Sequence, residues 1–242
     1  MIETKTNKSD LTNHSERLIN NPGKFLFSIQ KSDFLIRIIK NVHPIPTILF
    51  SICAILVIVS TMFPFWHMKL EAPQYPKGLN IYLFIDNVQG DIFEIEGLNH
   101  YIGMRSLAEA APIERAISKY AMIFIAIFSA LPIFLHTRWL IIFALPILLF
   151  PLIFLADLFY WLRLYGQNLD PRAALSSSVD PFTPPVIGTK KIANFVVINE
   201  VDIGFYIMCF TIVLFLIGFY YHQKIYKSMD DNSIEFNIKS FV

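Results

Sequence analysis

The sequence predicts an all-α integral membrane protein with four transmembrane helices. Only 16% of its 242 residues are charged and 55% are hydrophobic, and the mean hydropathy is +0.51. A soluble domain of this size usually carries about 25% charged residues. Four apolar runs approach the roughly 20 residues that a helix needs to cross a bilayer. These runs cover residues 44–66, 118–135, 139–161 and 203–221.

The segments between the apolar runs are polar and divide by charge. Residues 1–43 are predicted to be a cytoplasmic arm with an amphipathic segment, and residues 67–117 an outer insertion. Residues 162–202 are predicted to be an outer Pro-rich loop, and residues 222–242 a cytoplasmic tail. Basic residues outnumber acidic ones in the arm, whereas acidic residues outnumber basic ones in the insertion. Because cytoplasmic loops carry an excess of Lys and Arg, we expect both termini in the cytoplasm and both long segments outside.

The insertion between the first two runs predicts a β-hairpin followed by a helix. Residues 79–85 have a strand composition, residues 86–90 supply turn residues, and residues 91–96 complete the hairpin. Residues 98–110 are rich in helix-forming residues. The second outer segment contains several Pro and Gly residues, so we predict a long loop without regular structure between helices 3 and 4.

Two His and two Met residues in the insertion form a candidate metal site. They are His67, Met68, His100 and Met104. Imidazole and thioether are ligands that suit Cu(I). On a helix over residues 98–110, His100 and Met104 would be four residues apart and share a face. An interfacial cluster without a metal is the alternative interpretation.

Asp157 is an ionisable residue within the third apolar run. Such residues are costly in a membrane and usually face a bundle interior or a polar path. Either it pairs with Arg163 near the outer interface, or it belongs to a functional polar site. In the second outer segment, residues 168–171 follow a turn pattern, and the Asp170 side chain is expected to cap the local backbone. The neighbouring Arg172 either has only a structural role there, or forms an ion pair or binds an anion.

Three strings in the outer segments resemble a known family. They are LEAPQYPKGL at residues 70–79, EIEGLNHYIGM at residues 94–104, and GQNLDP with PFTPP in the second segment. This resemblance is to the NosB-like small multi-span membrane proteins, found in gene clusters for nitrous oxide respiration (clade II) and copper trafficking. It implies a bacterial cytoplasmic (inner) membrane protein, with outward loops and a link to copper enzymes and denitrification.

The leading functional hypothesis is therefore an accessory protein of a copper-dependent respiratory enzyme. It would act by Cu(I) handling, or by docking the enzyme or its chaperone on the outer face. One alternative is a metal-free subunit or scaffold of a respiratory-chain complex, with Tyr75 and Tyr101 as interface residues. A second alternative is a small-solute permease that uses Asp157. No catalytic motif and no basic block for nucleic acid are present, so we expect neither an enzyme nor a nucleic-acid-binding protein.

Overall fold

The computed structural model describes residues 43–134, 140–174, 179–192 and 194–239. The predicted arm, apart from its last residue, and the turn between the second and third apolar runs lie outside these ranges. The elements in chain order are α1 (Pro44–Ser60), β1 (Trp66–Ala72), β2 (Tyr75–Leu83), β3 (Val88–Gly90), α2 (Ile92–Ile102), α3 (Pro112–Ala130), α4 (Leu140–Gln167), β4 (Gly188–Ile192), β5 (Phe195–Val201) and α5 (Ile203–Lys239).

Three of the described helices are long and apolar enough to cross a membrane. They cover Pro112–Ile133, Ile142–Gln167 and Ile203–Ile225. The described part of α1 has 17 residues, which is shorter than the roughly 20 that a span needs. Three helices therefore support the prediction of a membrane protein, and α1 is a shorter apolar helix.

Helix α1 lies at the centre of the bundle, packed against α3 and α5. Its buried residues recur every three or four positions, as expected for one face of a helix. That stripe is Pro46, Phe50, Cys53, Val57 and Ser60. The other side of α1 is also apolar, and its isoleucines are exposed. An exposed apolar surface of this kind is typical of helices that face lipid.

The prediction of an all-α fold is wrong, because the two outer segments form a five-stranded antiparallel sheet. The strand order is β3-β2-β1-β5-β4. The central pair joins β1 of the first outer segment to β5 of the second, with Trp66 opposite Val201. The segment predicted as a Pro-rich loop therefore contributes two strands. Strand β1, which pairs with β5, lies three helices earlier in the chain, so the local sequence pattern does not reveal the pairing.

The predicted hairpin and helix are present with shifted boundaries. Strand β2 begins at Tyr75, and its partner β3 has only three residues. Residues 92–96, expected to finish the hairpin, are instead the first turns of α2, and the backbone N–H of Ile95 donates to the Asp91 carbonyl. Helix α2 ends at Ile102 because Gly103 takes the left-handed conformation, with φ of 84°.

The sheet and α2 form one module, the sheet module, at the end of the bundle where α1 and α4 finish and α3 and α5 begin. Backbone hydrogen bonds fix the junction. The Phe65 N–H donates to the Leu83 carbonyl at 2.8 Å, and the Asp202 N–H donates to the Phe65 carbonyl at 3.0 Å. The bundle and the sheet are therefore held together through Phe65, which is fully buried.

Alternating side chains give the sheet two different faces. One face points towards α2, α3 and α4 and is apolar, with Met68, Leu70, Ile81, Leu83 and Val197. The opposite face, here called the open face, carries the alternate residues, which are mostly polar or charged. Among them are His67, Lys69, Glu71, Asn80, Tyr82 and Glu200.

Candidate functional site

The predicted copper ligands on β1 lie on opposite faces of the sheet. His67 is on the open face, where its ring stacks on Tyr82 with a centroid separation of 4.6 Å. Its Nε2 lies 3.1 Å from the Asn80 side-chain oxygen. Met68, the next residue, faces the apolar side. Adjacent residues of a strand point apart, so these two side chains cannot share a metal ion.

The other two predicted ligands also diverge. His100 is exposed on α2, whereas Met104 lies beyond the end of that helix, where its backbone N–H donates to the Asn99 carbonyl at 2.9 Å. The expected shared helical face does not exist, because Gly103 ends the helix between them. Within the described ranges, no three His, Cys, Asp or Glu side chains are close enough to hold a metal ion.

The structure does bring the two predicted thioethers to one place. Met68 and Met104 both line a cavity between the sheet module, α3 and α4, and both pack against the cluster that contains Ile102, Phe182 and Val197. Two thioethers are soft ligands, but the described residues supply no imidazole beside them. Of the predicted set of four, only this pair has a common environment.

The two predicted interface tyrosines meet on the surface of the sheet module. Tyr75 on β2 and Tyr101 on α2 line one shallow groove, together with Phe93. Phe93 is 87% exposed and Tyr101 is 57% exposed. Gly97 lies between these two residues on the same stripe of α2 and has no atoms within 4 Å of where a Cβ would be. We call this feature the Tyr75–Phe93–Tyr101 groove.

The Asp170 side chain caps the local backbone, as the turn pattern predicts. The Arg172 backbone N–H donates to the Asp170 side chain at 2.9 Å, which is the expected local cap. The Asp170 backbone N–H also donates to the Gly103 carbonyl at 2.8 Å. This bond ties the loop after α4 to the end of α2. Both side chains are exposed.

Asp157 lines the cavity, and it forms no ion pair with Arg163 in the part of the chain that the structure describes. Glu114, in the first turn of α3, lines the same cavity. The indole N–H of Trp161, one turn after Asp157, is buried and has no hydrogen-bond partner among the described residues. Asp157 therefore belongs to a small polar cluster inside an apolar cavity.

Sequence reasoning missed two residues of these sites. The predicted hairpin places Phe93 in a strand. A strand at this position gives no reason to expect Phe93 and Tyr101 on one face of a helix. Glu114 falls within the predicted outer insertion of residues 67–117, whereas the structure places it in the first turn of α3. Its spacing after Pro112 was the available signal, since Pro is common at the first position of a helix.

A comparison with models of known protein families finds no match for this chain. A comparison with curated proteins also finds none.

Proposed function

We propose that this protein is an accessory membrane protein of a copper-dependent respiratory enzyme, with nitrous oxide reduction as the pathway. In this proposal it docks the enzyme or its chaperone at the Tyr75–Phe93–Tyr101 groove. The resemblance of residues 70–79 and 94–104 to the NosB-like family supports the assignment to that pathway. The groove is the observation that supports docking, because all of its lining residues except Phe93 belong to these two segments.

The chemistry of the groove is that of a protein interface. Aromatic residues are enriched in interfaces and often anchor them. An exposed phenylalanine by itself is ordinary on a protein surface. Here Phe93 is nearly fully exposed, and it is joined by two tyrosines around an open glycine position. A side chain of the partner could insert over Gly97, between Phe93 and Tyr101.

The double variant Phe93→Ala/Tyr101→Ala tests this proposal. We expect binding of the purified copper enzyme or its chaperone to the protein in nanodiscs to weaken at least tenfold, since interface anchors typically contribute about 2 kcal/mol or more. The matched control is Tyr82→Ala, which removes an aromatic ring from the open face of the same sheet. Loss of binding in the control alone would move the docking surface to the open face. Unchanged binding in both variants would refute docking by these surfaces.

We propose the bacterial cytoplasmic membrane as the location, with both termini in the cytoplasm and the sheet module in the periplasm. The charge asymmetry of the sequence supports this orientation. The sheet pairs β1 with β5, so both outer segments must lie on the same side of the membrane. A membrane-impermeant maleimide added to intact spheroplasts is expected to label Phe93→Cys. Labelling only after the cells are lysed would reverse the orientation.

Cu(I) handling is the second candidate mechanism, and one observation favours it. Met68 and Met104 line the same cavity, whose other lining residues are almost all apolar. The double variant Met68→Leu/Met104→Leu keeps volume and hydrophobicity while it removes both sulfur atoms. We expect Cu(I) titration against a competing chelator to show binding by the wild type and a loss of at least tenfold in this variant. The control variant His67→Ala/His100→Ala should retain binding, because neither imidazole lines the cavity. Equal binding in wild type and the Met variant would exclude this site.

A further inference from the structure

A cavity of about 560 Å³ lies between the sheet module, α3 and α4. Volumes of this size are typical of sites for small molecules. Along α4 its lining extends from Pro146 to Tyr165, which at the rise of an α-helix is on the order of 30 Å. The cavity is therefore long, and it runs from the level of the membrane helices into the sheet module.

The part of the cavity between α3 and α4 opens towards the bilayer. Ile117 and Phe124 of α3 and Ile153 of α4 line the cavity, and they are also 55%, 49% and 62% exposed. On a membrane helix, exposed apolar side chains face lipid. A molecule can therefore enter between α3 and α4 directly from the bilayer. The rest of the lining is almost entirely apolar, which suits a hydrocarbon chain.

Three charged side chains line this apolar cavity. Two of them are carboxylates, Glu114 on α3 and Asp157 on α4. Carboxylates in such surroundings are costly unless a cation or hydrogen-bond donors offset them. Arg115 also lines the cavity, and the buried indole N–H of Trp161 has no hydrogen-bond partner. The wall thus combines two carboxylates, a buried indole N–H and a guanidinium whose Nε donates to the Asp86 carbonyl at 3.5 Å.

A phospholipid with an ammonium headgroup has the matching chemistry. A primary ammonium carries three N–H donors, enough to contact both carboxylates. The neighbouring phosphate can accept from the guanidinium of Arg115 and from the indole N–H. An anionic lipid without an amine would place its charge against two carboxylates. A quaternary ammonium would supply the charge but no donors.

We propose that the cavity binds one phosphatidylethanolamine-type lipid from the adjacent leaflet. Its ammonium group lies between Glu114 and Asp157, and an acyl chain fills the apolar part of the cavity. Both Trp66 and Trp161 would then contact the chain, because both line the cavity. The lipid would also fill the space between α3, α4 and the sheet module.

Native mass spectrometry of the protein, reconstituted with dioleoyl-phosphatidylethanolamine, -phosphatidylcholine or -phosphatidylglycerol, tests this proposal. We expect about one phosphatidylethanolamine to remain bound, with affinity at least tenfold higher than for the other two lipids. The isosteric variant Glu114→Gln/Asp157→Asn should lose this preference. Its control is Glu94→Gln, an exposed acid on α2 outside the cavity, which should retain it.

A second variant separates the cavity from the headgroup site. Ala121→Trp places a bulky ring at the lipid-facing wall of the cavity and should prevent retention of every lipid. Equal retention of all three lipids, a preference for phosphatidylglycerol, or retention that survives Ala121→Trp would each overturn the proposal.

Discussion

Replacing Phe65 with alanine is expected to lower the free energy of unfolding by about 3–5 kcal/mol, the usual cost of truncating a buried phenylalanine. Phe65 is fully buried, and its ring contacts those of Phe150 and Phe154 at centroid distances of 5.8 and 5.5 Å. The same residue carries the backbone hydrogen bonds that join the sheet to the bundle. Its truncation leaves a void where the two parts of the protein meet.

Unfolding in mixed micelles with increasing SDS, followed by tryptophan fluorescence, measures this effect. Trp66 lies next to the altered residue and reports on the junction. The matched control is Phe93→Ala, which removes the same side chain where it is 87% exposed and should change stability by less than about 0.5 kcal/mol. Similar losses in the two variants would show that the junction is not a rigid core.

Substitution of Gly103 and of Gly97 by alanine is expected to change stability in opposite directions. At Gly103, φ is +84°, and an added Cβ would lie 2.7 Å from the Asp170 carbonyl oxygen and 2.8 Å from its nitrogen. The strained backbone and this contact should cost about 2–3 kcal/mol. At Gly97 a Cβ meets no atom within 4 Å, so alanine should add about 0.5–1 kcal/mol by favouring the helix.

The same SDS titration compares the two variants with wild type. Because both changes add one methyl group to α2 or its cap, their difference isolates backbone conformation and the contact with Asp170. A neutral Gly103→Ala variant would contradict the tie between the end of α2 and the loop after α4. That tie also fixes Met104, which follows the glycine and lines the cavity.

Three of the four apolar runs correspond to helices that are long and apolar enough to cross a membrane, whereas the described helix of the first run has only 17 residues. The sequence also identified Tyr75 and Tyr101 as surface residues of interest, and the turn at Asp170 followed from its residue types. Each of these inferences depends on local chemistry. Local chemistry of this kind can be inferred from the residue types and their spacing.

The sheet and the sites could not be predicted in the same way. Strand β5 has the β-branched composition of a strand, but its role depends on pairing with β1, which no local pattern encodes. The copper hypothesis assumed that nearby His and Met residues converge. The strand period separates His67 from Met68, and the glycine cap separates His100 from Met104. The cavity depends on how α3, α4 and the sheet pack together, and the order of residues along the chain does not show where packing leaves a gap.

The pairing of β1 with β5 imposes an order on biosynthesis. During translation, β1 and β2 are synthesised early, whereas β5 is synthesised only after α3 and α4. At about 5–20 residues per second, β1 waits for many seconds with one edge unpaired. An open strand edge can pair with another chain and aggregate. The free edge of β1 therefore stays open to such pairing until β5 has been synthesised.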